Sequence, residues 1–115
     1  MDKGLGNRLF EFAVNVIKFC RKLPRTKEFD VIRYQLTKSA TSSGANYEEA
    51  QSASSRADFK NKIDISLREM RESNYWLRII EAVYQKNDEV SAFIQESVEL
   101  KSILGSISSK VITKK

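Results

Sequence analysis

The stretch "SSGANYEEAQ", Ser42–Gln51, decides the fold. Its Ser, Gly, Asn and paired Glu fit three readings: a turn between helices, a polar site, or a helix face built for close contact. The flanking residues settle the architectural choice. Phe29, Ile32, Leu36, Ala40, Ser43, Tyr47 and Ala50 fall on one face at ~100° per residue, and this register passes through Gly44 without a break. A glycine inside a helix costs only ~1 kcal/mol relative to alanine, which packing absorbs. The spacing therefore predicts one helix over about 27–53, with Thr26 as its N-cap.

Working outward, three further segments carry helical patterns. In the first, about 5–23, Leu9, Ala13, Val16, Ile17 and Cys20 recur at three- and four-residue spacing, and Phe10, Phe12, Val14 and Phe19 broaden that surface. Pro24 ends it, because the residue before a proline avoids the helical region. The third, about 56–86, opens with "SRAD", Ser55–Asp58, a serine followed three residues later by an acid, as in a capping box. Its main stripe is Phe59, Ile63, Leu67, Met70, Asn74 and Leu77. A second stripe, Asp58, Lys62, Ile65, Glu69, Glu72, Trp76, Ile79 and Val83, is ionic in its first half and apolar in its second. The fourth, about 89–112, takes Asn87 or Asp88 as cap. It runs Val90, Phe93, Ile94, Ser97, Leu100, Lys101, Leu104, Ile107 and Val111 as a narrow seam of heptad type.

Helices of roughly 17 to 30 residues span ~25–45 Å. Joined by short loops, they predict an all-α, antiparallel up-down-up-down four-helix bundle. The 115 residues suit a single domain, 1–115. One Pro, four Gly and abundant helix formers agree with this reading. The N-terminal stretch lacks the apolar core of a signal peptide, and no segment approaches the ~20 apolar residues of a membrane span. A lone cysteine, Cys20, excludes an intramolecular disulfide. A cytoplasmic protein without a membrane partner is the expectation.

Composition also narrows the chemistry. With no His and one Cys, the Ser-His and Cys-His nucleophile pairs are excluded, and a metal site of imidazole and thiolate is not expected. A di-metal carboxylate bundle needs Glu-x-x-His pairs that the chain cannot supply. No catalytic residue and no cofactor are expected.

The net charge is +5 and the pI ≈ 9.4. Such a bias permits attraction to nucleic acid. Lys18, Arg21, Lys22, Arg25 and Lys27 gather around the first loop and are the candidate phosphate contacts, the alternative being a solvated surface. Further basic residues are Arg56, Lys60, Arg68, Arg71, Arg78, Lys110, Lys114 and Lys115. Stacking on single strands would need exposed rings interleaved with such bases. Asn46, Glu49, Asp58, Lys62, Glu69 and Glu72 are expected to form a structural polar network across the second and third helices, with Lys62 as partner of Glu49. Tyr75, Trp76, Ile79 and Val83 carry more apolar surface than one stripe can bury, which predicts a self-association interface.

Three motifs carry a resemblance. Ser42 or Ser43, Asn46, Tyr47, Glu49 and Ala50 match Ser-x-x-x-Asn-Ile/Tyr-x-Glu-Ala/Gly; Ser55 to Phe59 match Ser-Arg/Lys-Ala-Asp-Phe; and Glu69, Glu72, Tyr75, Trp76 and Leu77 match Glu-x-x-Glu-x-x-Tyr-Trp-Leu. Over 35–80 the chain resembles the small bacterial four-helix-bundle family of ribosomal RNA intervening-sequence proteins. Relatives include the accessory variability determinant of diversity-generating retroelements. The resemblance implies an antiparallel bundle and a homopentamer. Its retroelement branch implies a basic oligomer binding RNA or DNA and a reverse transcriptase. The expected function is that of a non-enzymatic, oligomeric nucleic-acid accessory protein, the alternative being a structural or protein-interaction module.

Overall fold

The computed structural model describes residues 4–84 and 86–111. These form four helices: α1 (Gly4–Cys20), α2 (Lys27–Gln51), α3 (Arg56–Val83) and α4 (Asp88–Lys110). Each helix packs along the next, and α1 closes the bundle against α4. Cross-helix partners run in opposite directions along neighbours, Ser39 with Ser73 and Ser43 with Ser66, then Asn74 with Ser97 and Asp64 with Ser108. The arrangement is the expected all-α, up-down-up-down bundle.

The ends differ from the expected ones by a few residues. α1 stops at Cys20, just ahead of Pro24, which disfavours helical geometry at Leu23. Its last turn tightens, with Lys22 N–H donating to the Phe19 carbonyl and Leu23 N–H to the Cys20 carbonyl. Arg33 of α2 reaches across to this end. Its Nη1 donates to the Cys20 carbonyl at 2.8 Å and its Nη2 to the Pro24 carbonyl at 3.1 Å, so one guanidinium ties the end of α1 and the loop after it to α2. α2 closes at Gln51 with the same tight bonding, Ala53 N–H to the Ala50 carbonyl. α3 is followed by Tyr84 as cap, and α4 ends at Lys110. Gln85, Ile112, Lys114 and Lys115 lie outside the described residues.

Three N-caps are made by the residue types that favour the position. Thr26 accepts from Phe29 N–H, Ser55 from Asp58 N–H and Asn87 from Val90 N–H. Asp58 answers by accepting from Ser54 N–H at 3.1 Å.

The core is built from Leu9, Phe12, Val16, Phe19, Leu36, Met70, Leu77, Ile80, Leu100 and Leu104 among others. Ser39, Ser43, Ser66, Ser73 and Ser97 are buried completely beside them. Each of these hydroxyls has a partner, as burial requires: Ser39 Oγ and Ser73 Oγ lie 2.7 Å apart, and Ser43 and Ser66 bond to each other's helices. Small hydroxylated residues let α2 and α3 approach closely while leaving no polar atom stranded. The α1–α4 seam is packed less and clasped more. Phe93 lies on Phe12 and Phe19, with ring centroids 6.2 and 5.3 Å away. Arg8 forks onto Glu96 at 2.7 and 3.0 Å and reaches Glu99 at 3.0 Å, and Lys22 pairs with Glu89 at 2.8 Å toward the other end. Hydrogen bonds from Gln95 and then Arg8 hold the Glu99 carboxyl below the ordinary carboxylate range.

Candidate nucleic-acid interface

The basic loop expected to contact phosphate sits at the end of the bundle where α1 gives way to α2. Arg21, Arg25, Lys27 and Lys18 are exposed there. Lys22 is taken up by the ion pair with Glu89. The up-down topology also brings acids to this end, because helix N-termini favour negative charge. Glu28 and Asp30 occupy the first turn of α2, and Asp88 and Glu89 that of α4. The field of the loop is therefore mixed, although the chain segment alone reads as basic.

A second basic surface emerges on α3. Arg68, Arg71, Tyr75 and Arg78 recur at spacings of three, four and three residues, so they share one exposed face of the helix. Ten residues of helix place Arg68 and Arg78 ~15 Å apart along the axis. None of the three arginines forms an ion pair among the described residues. Tyr75 is 48% exposed, and the guanidinium carbon of Arg78 lies 5.7 Å from its ring centroid, within the range of cation–π attraction. The arginines are visible in the sequence as scattered basic residues. Reading α3 at its helical period with Tyr75 included is the signal that aligns them.

The expected polar network is distributed differently. Asn46 Nδ2 donates within α2, to the Ser42 carbonyl at 2.9 Å and Ser42 Oγ at 3.1 Å. Asp58 serves the N-terminus of α3. Glu49 is exposed, and neither an ion pair nor a hydrogen bond joins it to Lys62. The cross-helix contacts are made instead by the buried serines, which reach the facing backbone without desolvating a charge. Glu69 and Glu72 do lie together, both half-buried one turn apart on α3. Burial, and then the charge of Glu72, raise the Glu69 carboxyl above its ordinary range, with Arg68 and Lys38 acting in the opposite sense.

The apolar residues at the end of α3 also divide. Trp76 and Ile79 are half-buried against the protomer's own core, and only Tyr75 and Val83 stand exposed. Trp76 meets Tyr75 edge to face at 5.2 Å, and its Nε1 is buried without an acceptor among the described residues. Another apolar surface appears between α1 and α2. There a groove of about 340 Å³ is lined by Leu9, Phe10, Ala13, Val14 and Ile17 on one side and Thr41, Gly44, Ala45 and Glu48 on the other. Phe10, 62% exposed, stands at this groove. Phe10 and Val14 lie off the main α1 stripe, and that displacement is the sequence signal for this surface.

Among the described residues no group of three or more His, Cys, Asp or Glu could hold a metal ion, and no helix is long and apolar enough to cross a membrane. Cys20 is a buried core residue, and burial raises its thiol above its ordinary range.

Comparison with known proteins agrees with the fold. The chain is similar to a crystal structure from Bacteroides thetaiotaomicron, described as a protein of unknown function from the S23 ribosomal protein family. The identity is 33%, the match covers 93% of this chain and 100% of that one, and the TM-score is 0.85. No curated protein matches the chain significantly. The sequence profile of the 23S rRNA-intervening sequence protein family matches residues 6–106. The chain belongs to the 23S rRNA-intervening sequence protein family.

Proposed function

We propose that this protein is a non-enzymatic, self-associating accessory protein that binds nucleic acid through basic surfaces. The observation that carries the reading is the α3 face, where Arg68, Arg71 and Arg78 are exposed, free of ion pairs among the described residues and interleaved with a tyrosine. Arginine left without an acid is a donor fork suited to phosphate. The exposed members of the loop cluster, Lys18, Arg21, Arg25 and Lys27, supply a second set of phosphate contacts. Ribosomal RNA is the partner class that the family name suggests, and the retroelement relatives suggest a reverse transcriptase beside it.

Self-association strengthens the same reading, since a modest charge per subunit becomes a repeated field in an assembly. A second copy of the chain covers the apolar α1–α2 groove, whose exposed Phe10 and small, exposed Ala45 suit close helix contact. This groove also supports the alternative reading, a protein-interaction module without a nucleic-acid role.

Titration with a structured RNA and a single-stranded DNA at several salt concentrations tests the proposal. Binding at low salt that weakens as salt rises is expected. No binding even at the lowest salt overturns it in favour of the interaction module.

A further inference from the structure

We infer that the α3 face takes unpaired nucleotides, with a base stacked on Tyr75 and the flanking phosphates on the arginines. This rests on the proposed nucleic-acid reading and names the form of nucleic acid the site accepts.

The inference stands on how firmly the Tyr75–Arg78 pair is held. Asn74 is buried where α3 meets α4, and both ends of its amide are engaged. Its Nδ2 donates to Ser97 Oγ at 2.9 Å, and Ser97 Oγ donates in turn to the Ile94 carbonyl at 2.7 Å. Its Oδ1 accepts from Arg78 Nε at 2.9 Å. The buried chain therefore anchors one edge of the guanidinium, while the two terminal nitrogens keep their donors free of partners among the described residues. The same guanidinium lies 5.7 Å from the Tyr75 centroid. The ring also meets Trp76 edge to face at an interplanar angle of 76°, and Trp76 is packed on the core. An exposed ring held by two fixed neighbours loses little freedom on binding, which is what makes an aromatic side chain an effective platform.

Duplex and single strand present different chemistry to such a platform. Both offer phosphates to Arg68 and Arg71, but base pairing and stacking hide the base faces of a duplex. Only an unpaired base can lie on Tyr75, and every base has a π-face, so the site should be tolerant of sequence. An acidic peptide could satisfy the arginines but has no comparable use for the ring.

The test measures binding of the full chain to a fluorescently labelled twelve-nucleotide RNA, the same sequence as DNA, and the blunt RNA duplex. The proteins compared are the natural chain, Tyr75→Phe, Tyr75→Leu and the double variant Arg68→Gln/Arg71→Gln. The single strands should bind about tenfold or more tightly than the duplex. Tyr75→Phe should keep that preference, and Tyr75→Leu should lose about tenfold in single-strand affinity only. The arginine variant should weaken every arm. Because Tyr75 is exposed, helix content by circular dichroism should be the same in all four proteins. Arginine-dependent binding with no preference between strands, an unchanged Tyr75→Leu, or equal competition by a glutamate-rich peptide overturns the stacking site and leaves the broader reading standing. No binding in any arm removes both.

Discussion

Ser43 and Ser66 exchange hydrogen bonds across the α2–α3 boundary: Ser43 Oγ donates to the Ser66 carbonyl at 2.8 Å, and Ser66 Oγ to the Ser43 carbonyl at 2.7 Å. Both side chains are fully buried. Each hydroxyl can reach the opposite main chain only because both residues are small, so the pair fixes the helix spacing as well as the register. Ser43→Ala or Ser66→Ala should each cost about 1 kcal/mol, the worth of one hydrogen bond. Ser43→Val forces extra volume into the contact and should cost about 1–3 kcal/mol. Thermal denaturation of the single and double variants checks this, and the two alanine changes should be non-additive because the residues touch.

Gly44 and Gly105 separate two reasons for glycine inside a helix. A Cβ at Gly44 would meet Leu9 Cβ at 3.5 Å and the Leu9 carbonyl oxygen at 3.6 Å, whereas one at Gly105 meets nothing within 4 Å. Both sites accept a methyl group, so Gly44→Ala and Gly105→Ala should each gain up to about 1 kcal/mol of helix propensity. Larger residues divide the sites. Gly44→Val should press α1 away and lower the melting temperature, while Gly105→Gln should remain neutral or stabilising.

Much of this framework is legible in the sequence, because helical periodicity survives wherever one face is buried. The caps Thr26 and Ser55, the stop at Pro24 and the core stripes of α2 and α3 all follow from local rules. The serine pairs and Arg33 do not. Ser39, Ser66 and Ser73 look like surface residues until another helix is placed against them, and Arg33 finds its acceptors only when the α1–α2 turn folds back. The expected Glu49–Lys62 contact fails for the same reason. Distance from a loop says which residues share a level of the bundle, but not that Asp58 is engaged at the α3 terminus and that Glu49 faces water. The aromatic and basic residues of α3 are each visible in the sequence, yet their alignment depends on which side of α3 the neighbouring helices leave uncovered.

Trp76 and Phe10 should answer differently to substitution. Trp76 packs on the protomer core, so Trp76→Ala should cost about 2–3 kcal/mol, below the ~3–5 kcal/mol of a fully buried aromatic. Its mass by light scattering should stay that of the natural assembly. Trp76→Phe removes a buried N–H that lacks an acceptor among the described residues and should be close to neutral. Phe10→Lys leaves the core intact but charges the α1–α2 groove, and it should reduce the mass of the assembly. Loss of the assembly in Trp76→Phe with none in Phe10→Lys would place the interface on α3 instead.

Glu69 should make stability depend on pH with a definite sign. Its carboxyl is raised in the folded state by burial and by Glu72, so the native chain holds that proton more tightly than the unfolded one. Stability should therefore fall as pH rises from the unfolded value, ~4.3, through the raised folded value. Glu69→Gln removes the like-charge contact, and at pH 7 it should be the more stable protein by about 0.3–0.5 kcal/mol. Melting curves from pH 3.5 to 7.5 should show that advantage disappearing below the ordinary glutamate range. An advantage that persists at pH 3.5 contradicts the assignment.

The salt dependence of RNA binding tests the central claim most directly. Affinity for a short single-stranded RNA is measured from about 50 to 200 mM salt for the natural chain and for Arg68→Gln/Arg71→Gln. If the α3 face engages the phosphates, the slope of log affinity against log salt should shrink by about 1.4, roughly 0.7 for each phosphate that an arginine no longer neutralises. An identical slope and affinity in the two proteins would contradict the account.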